Sequence, residues 1–332
     1  MKARFSVIVP VYNRPEEIRE LLASLSEQTF RDFEILVIED GSSIPCMDVV
    51  EQFSAFLPVR YFYKENSGPG LSRNYGIAKA EGDFFVFFDS DCIVPSDYFE
   101  IITKCMASDA IDCYGGTDKA HKSFSVVQKA IDYTMTSVLT TGGIRGGARK
   151  VTRFYPRSFN MGFSRDVFDK TNGYASIRFG EDIDLSIRIE KAGFKLHLIN
   201  EAFVYHKRRT DFRKFFKQIY NSGIARINLY KLYPYSLKLT HFFPLAFILF
   251  VVLSVTGAIF IDTLLALPLV IYLCAILFHA SYKYKSFYVG GSAVLSALVQ
   301  MTAYGTGFFV AFWQRIILRK EAFSAFDKTF YK

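Results

Sequence analysis

Two periodicities alternate along the first ninety residues. Phe5–Val11 (FSVIVPV) and Phe33–Ile38 (FEILVI) are short apolar runs, the pattern of strands covered on both faces. Between them Pro15 opens PEEIRELLASLSEQ, where Ile18, Leu21, Leu22 and Leu25 share one helical face. Proline at the start and acidic residues in the first turn suit a helix N-terminus. Val59–Tyr63 predicts a third strand, Gly70–Ala80 a second helix and Asp83–Phe88 (DFFVFF) a fourth strand. Strand, helix, strand, strand, helix, strand predicts an α/β layer with a mostly parallel sheet. A further helix is predicted over residues 181–192 (EDIDLSIRIEKA).

The pattern changes after residue 206. Over residues 212–233, Phe212, Phe215, Phe216, Ile219, Tyr220, Ile224 and Ile227 fall near helical spacing with Arg213, Lys214, Lys217 and Arg226 among them. A basic, aromatic amphipathic helix suits the plane of a membrane interface. Phe242–Ile261 then contains no ionisable residue; at 1.5 Å per residue it spans ~30 Å, one hydrocarbon thickness. Two more apolar runs follow. The organisation predicted is a catalytic-type α/β domain over 1–206, a basic interfacial helix region over 207–240, membrane segments within 241–314 (about 242–261, 263–279 and 287–313), and a basic tail over 315–332. Positive charge favours the cytosol for the 207–238 end, the Lys283/Lys285 loop and the Arg315–Lys320 end alike. Three full spans cannot satisfy all three: either the third segment dips in without crossing, or the tail lies outside.

Composition adjusts this picture. The 332 residues are 51% hydrophobic and 17% aromatic, which excludes a disordered chain. The net charge of +8 would by itself suggest nucleic acid. Resolved along the chain it does not: residues 1–206 carry −4, 207–238 carry +8 and 239–332 carry +4. An acidic first domain is a poor general binder of nucleic acid, so anionic membrane lipids are the partner expected for the basic segment. The five cysteines form no CxxC pair and read as reduced, apolar residues. The N-terminus has too short an apolar run for a signal peptide. The expected location is therefore the inner (plasma) membrane, multi-pass, with the first domain cytoplasmic.

In an open parallel sheet, ligands bind beyond the carboxyl ends of the strands. Three polar clusters fall there: Tyr12-Asn13, Asp40-Gly41 and Asp89-Ser90-Asp91. Two carboxylates at i and i+2 on an extended chain point to one side and suit Mg²⁺ or Mn²⁺ bridging a diphosphate. Glu181-Asp182 opens a helix, where a carboxylate is either a favourable dipole partner or a general base. Arg73, after the Gly-rich NSGPGLSR, suits a phosphate or a neighbouring carboxylate. His206 is either structural or a third metal ligand beside Asp91. Residues 141–153, with Arg145 and Arg149 in TGGIRGGARKVTR, read as a mobile loop able to close over a diphosphate.

In this order, SVIVPVYNR, VIEDGSS, NSGPGLSRNYGIAKAEGDFFVFFDSD, NMGFSRDVFDKTNGY and FGEDIDLSIRIEKAGFKL resemble the family 2 glycosyltransferases of the GT-A fold, over roughly residues 4–206. The resemblance implies an inverting transferase that uses a nucleotide sugar, commonly UDP-linked, and a divalent metal. It implies that Pro10, Tyr12, Asn13 and Asp40 line the nucleoside pocket and that Arg73 supports the nucleotide. Asp89 would lie near the ribose and sugar and share the metal with Asp91 and His206. Asp182 would be the catalytic base and Glu181 would contact the acceptor. Processive members carry Gln-x-x-Arg-Trp before their spans; here the region reads QIYNSGIARINL and the only Trp is Trp313. The expectation is thus non-processive transfer to a lipid-linked or membrane-proximal glycan in cell-surface polysaccharide or glycolipid synthesis. Direct transfer to a polyprenyl phosphate is the enzymatic alternative, and a catalytically dead membrane scaffold the non-enzymatic one.

Overall fold

The computed structural model describes residues 4–121, 123–141, 154–177, 179–323 and 325. The expected loop over 141–153, with Arg145 and Arg149, lies outside them but for Thr141. The described residues divide into two compact units, 4–121 with 154–207, and 123–141 with 208–325.

In the first unit, strands and helices alternate: β1 (Phe5–Val11), α1 (Pro15–Ser26), β2 (Phe33–Asp40), α2 (Met47–Ser54), β3 (Val59–Lys64), α3 (Pro69–Lys79) and β4 (Phe84–Phe88). Helix α2 is an addition to the sequence pattern. Its signal is Cys46, Val49, Val50 and Phe53, spaced three and four apart and all buried. Then come β5 (Cys92–Ile93), α4 (Tyr98–Ser108) and β6 (Cys113–Lys119), followed by α5 (Val126–Thr136) and α6 (Val138–Thr141), which belong to the second unit. β7 (Asn160–Ser164), α7 (Arg165–Thr171), α8 (Glu181–Lys191) and β8 (Leu196–His206) complete the first.

The eight strands form one sheet in the order β3-β2-β1-β4-β7-β6-β8-β5. β1 to β4 are mutually parallel, as is the β6–β8 pair. β7 runs antiparallel to β4 and β6, and β5 antiparallel to β8. Alternation along the strands feeds two cores. Phe5, Val7, Val9 and Val11 of β1, with Phe84, Val86 and Phe88 of β4, pack against Ile18, Leu21 and Leu22 of α1. Ile8, Phe85 and Phe87 point the other way, to Ile77 of α3 and to Leu185 and Ile189 of α8. Covering both faces is why these strands read as unbroken apolar runs. Parallel pairing brings the carboxyl ends of β1, β2 and β4 to one edge. The Cys92–His206 pairing brings the end of β8 back to the same edge.

The second unit is helical: α5 and α6, then α9 (Phe212–Leu232), α10 (Phe243–Phe260), α11 (Leu267–Tyr284) and α12 (Phe287–Phe312). Among the described residues three segments are long and apolar enough to cross a membrane: Leu239–Phe260, Thr263–Tyr284 and Phe287–Ile317, with mean hydropathies of 2.5, 2.2 and 1.4 over an 18-residue stretch of each. The second runs past residue 279 because HASYKY continues the helix until Lys285, at φ +50°, ends it. In its most apolar 18-residue stretch half of the third segment is buried, against 11% and 17% for the others, so α12 is the central helix of this unit.

Close packing requires small residues. A Cβ on Gly223 of α9 would meet the carbonyl oxygen of Tyr304 at 2.4 Å, and one on Gly307 of α12 would meet that of Tyr220 at 2.2 Å. This changes the expectation for residues 212–233. Phe215 and Ile219 pack with Ile131 and Met135 of α5, and Ile224 and Ile227 with Phe308 and Ala311 of α12. The apolar face expected to lie against lipid is covered by protein. A buried polar cluster joins α5 to α11. Asp132 accepts from Nε and Nη2 of Arg208 at 3.0 and 2.9 Å on Oδ1, and from the Tyr284 hydroxyl at 2.8 Å on Oδ2.

Candidate active site

The site lies in the first unit, at the sheet edge where the parallel strands end. β1 ends in Tyr12-Asn13-Arg14. Pro10 is buried in the strand and Tyr12 is exposed. Asn13 takes a left-handed φ of +54°. Its N–H donates to Ser42 Oγ at 2.8 Å, and its Oδ1 accepts from the N–H of Ile44 at 2.9 Å. The loops after β1 and β2 are thus tied together. Asp40 closes β2 and is buried. Its carboxylate accepts from Lys64 Nζ at 2.6 Å and from the N–H groups of Ser67 and Gly68, both at 2.9 Å. Beside it Glu39 accepts from Ser42 Oγ and from the N–H of Cys46 at 2.7 Å. The two carboxylates each hold a loop at this edge: Glu39 the loop 42–46, Asp40 the turn 66–68.

After β4 the chain turns at Ser90, where the N–H of Cys92 donates to the Asp89 carbonyl at 3.1 Å. The turn replaces the extended chain expected here, and each aspartate takes its own partner. Asp89 Oδ1 accepts from Arg73 Nη2 at 2.6 Å. Asp91 Oδ2 accepts from Arg14 Nη1 at 2.5 Å, and its Oδ1 lies 3.1 Å from His206 Nε2. Asp89, expected to share a metal with Asp91, is engaged by Arg73 through Oδ1.

Arg73 is the buried cation of the site, its side chain 2% exposed. It pairs with Asp89, reaches Glu181 Oε1 at 3.6 Å and lies over the Tyr174 ring at 5.2 Å. Burial works against its charge, but Asp89, Tyr174 and Glu181 hold it protonated more firmly than usual. Glu181 and Asp182 open α8 behind Gly180, whose φ of +86° turns the chain into the helix. Burial, reinforced by the charge of Asp182 and opposed by Arg73, pushes the Glu181 carboxyl up to about 7. Asp182 Oδ1 accepts from the N–H of Ile183 at 2.8 Å, and Oδ2 from Arg157 Nη1 at 3.1 Å.

Asp91, Cys92 and His206 each bring a ligand atom within 4.8 Å of the others. Burial pushes the Cys92 thiol well up, and it donates to the Phe159 carbonyl at 3.6 Å. The His206 ring stacks on Phe159 at 4.4 Å, and its buried Nδ1 has no hydrogen-bond partner among the described residues. A carboxylate oxygen beside an imidazole nitrogen fits a divalent cation, and suits Mn²⁺ better than the all-oxygen preference of Mg²⁺. Two residues joined to this site escaped the sequence reading. Arg14 adjoins a motif already singled out, whereas Arg157 sits in a stretch without periodicity.

The model of "Glycosyl transferase family 2" matches residues 6–171, half of the chain. The poly(ribitol-phosphate) beta-N-acetylglucosaminyltransferase TarS of Staphylococcus aureus (strain Mu50) is 41% identical over 92 residues, covering 26% of this chain and 16% of that protein. The chain spans under a fifth of the length of the curated relatives that match it first. Among solved structures, the mannosyltransferase PcManGT of Pyrobaculum calidifontis, in complex with GDP-Man and Mn²⁺, superposes with a TM-score of 0.64 at 16% identity, over 91% of this chain and 88% of that one. S. aureus TarS 1–349 in complex with UDP-GlcNAc gives 0.50 at 18% identity, over 92% and 90%. The sheet and its helices are thus a GT-A fold.

Proposed function

The chain belongs to glycosyl transferase family 2, and from that premise we propose an inverting, non-processive enzyme that moves a sugar from a UDP-sugar to a hydroxyl of a lipid-linked or membrane-proximal glycan. The observation that carries the reading is Arg73, buried between Asp89 at the end of β4 and Glu181 at the start of α8. It couples the donor side of the cleft to the carboxylate pair that faces the acceptor. That TarS was solved with UDP-GlcNAc and PcManGT with GDP-Man supports a nucleotide-sugar donor.

In this reading Pro10, Tyr12, Asn13 and Asp40 form the nucleoside pocket. Asp40 is held rigid by its three donors, so it presents a fixed edge to the base. Asp182 takes the proton of the acceptor hydroxyl at Oδ2, the oxygen that Arg157 orients by its hydrogen bond. Glu181 contacts the acceptor. Asp91 and His206 would hold a divalent cation, whose contribution when bound is to offset charge on the departing diphosphate. The basic residues of α9 and the apolar α10 to α12 keep the enzyme at an anionic membrane surface.

The test is release of nucleoside diphosphate from a panel of nucleotide sugars by the purified chain with Mn²⁺. Asp182→Asn, folded, is expected to lose at least ~100-fold in turnover with a hydroxyl acceptor. A loss of only a few fold would point to a phosphate acceptor such as polyprenyl phosphate. Failure to bind or turn over any nucleotide sugar would overturn the proposal.

A further inference from the structure

Asp91 divides its two oxygens between two cationic or potentially cationic partners. Oδ1 faces His206 and Oδ2 takes Nη1 of Arg14 at 2.5 Å. The Arg14 side chain is 32% exposed, while that of Asp91 is only 11% exposed. The backbone beside Arg14 is pinned, with Asn13 bonded to both Ser42 and Ile44. A fixed backbone thus carries a side chain with solvent to move into.

A divalent cation on a carboxylate oxygen sits ~2.1–2.2 Å from it. An ion held between Oδ1 and His206 would then share the carboxylate with a guanidinium nitrogen 2.5 Å from Oδ2, both positively charged. One must leave. We propose that Arg14 is a resident counter-ion of Asp91 that a divalent metal displaces, so that guanidinium and metal compete for one carboxylate. The inference rests on Asp91 and His206 being the metal ligands, as proposed above. Its consequence is that Arg14 weakens binding of the free ion. The site then favours a cation that arrives with enough added negative charge, a nucleoside diphosphate, to outweigh the lost ion pair. Arg14 is in this sense a positioning residue: it sets when the metal enters.

The test uses the full chain in detergent, without nucleotide, titrated with Mn²⁺ while free Mn²⁺ is read by electron paramagnetic resonance. Arg14→Gln is expected to tighten Mn²⁺ binding about fivefold or more, a coupling of ordinary size between two linked sites. It should also enlarge the rise in melting temperature caused by Mn²⁺ alone. Arg14→Lys, which keeps a charge on a shorter reach, is expected to fall between wild type and Arg14→Gln. Unchanged or weaker Mn²⁺ binding in a folded Arg14→Gln protein would overturn the competition. Asp91→Asn separates the two layers. If it abolishes Mn²⁺ binding while Arg14→Gln does not tighten it, only the competition falls. If Asp91→Asn binds Mn²⁺ like wild type, the metal assignment itself falls and takes this inference with it.

Discussion

Replacing Arg73 with Met keeps the bulk of the side chain and removes its charge. Breaking a buried ion pair from one side costs about 3–5 kcal/mol, because the partner stays behind uncompensated. Two features of the site place this substitution near the lower end. The Asp89 side chain is 35% exposed, so water takes over part of its charge. Glu181 already titrates near 7, and without Arg73 it takes up a proton rather than remain charged. We therefore expect a loss of about 3 kcal/mol at pH 7. For a unit of this size that is a fall of roughly 6–12 °C in melting temperature. The same reasoning fixes a pH dependence. Arg73 opposes the upward shift of Glu181, so its removal raises that carboxyl further, and the deficit of Arg73→Met should widen from pH 6 to pH 8.5. Combining it with Glu181→Gln should recover the widening but not the contribution of Asp89. Thermal unfolding in detergent at several pH values, with and without Glu181→Gln, measures all of this. A loss below ~1 kcal/mol, or a deficit flat with pH, would refute the view of Arg73 as the buried cation linking two carboxylates.

Glu181 alone gives a second measurement. Its folded value lies above the unfolded one, so the fold favours the protonated form and loses stability as pH rises from about 4.5 through about 7. Glu181→Gln should therefore be more stable than wild type at pH 8, by on the order of 3 kcal/mol, and match it below pH 4.5; parallel curves would contradict the shift. In the helical unit, Gly307→Val places a branched side chain against the Tyr220 carbonyl and should cost about 2 kcal/mol. Gly291→Ala, where nothing lies within 4 Å of the added methyl, should leave thermal unfolding unchanged or slightly improved.

The parallel half of the sheet was legible because its strands are covered on both faces. FSVIVPV, FEILVI and FFVFF announce themselves by composition. The other half, where β7 and β5 run antiparallel to β6 and β8 respectively, was not. β6 reads CYGGTDK, and β8 mixes buried and exposed positions without clean alternation. Their pairing depends on partners far along the chain. In the site, Glu181-Asp182 was legible as an acidic helix start and Asp89-Ser90-Asp91 as a polar strand end. How the two aspartates divide was not legible, since it follows from a turn at Ser90 and from partners 16 and 77 residues away. Helix α9 shows the same limit. Its amphipathic pattern is real, but a pattern does not say whether protein or lipid covers the apolar face.

The course of the chain has a practical consequence. It enters the helical unit with α5 and α6, returns to the sheet for β7 through β8, and enters the helical unit again at residue 208. No single cut therefore frees the catalytic half. A protein truncated after residue 207 keeps α5 but loses α9, α11 and α12. Ala130, Ile131, Tyr133 and Met135, all buried in the intact chain, would then be stripped of their partners. Asp132 would lose both Arg208 and Tyr284. A soluble catalytic fragment calls for two edits, removal of the C-terminal helices and replacement of residues 123–141, or else for new polar residues on α5.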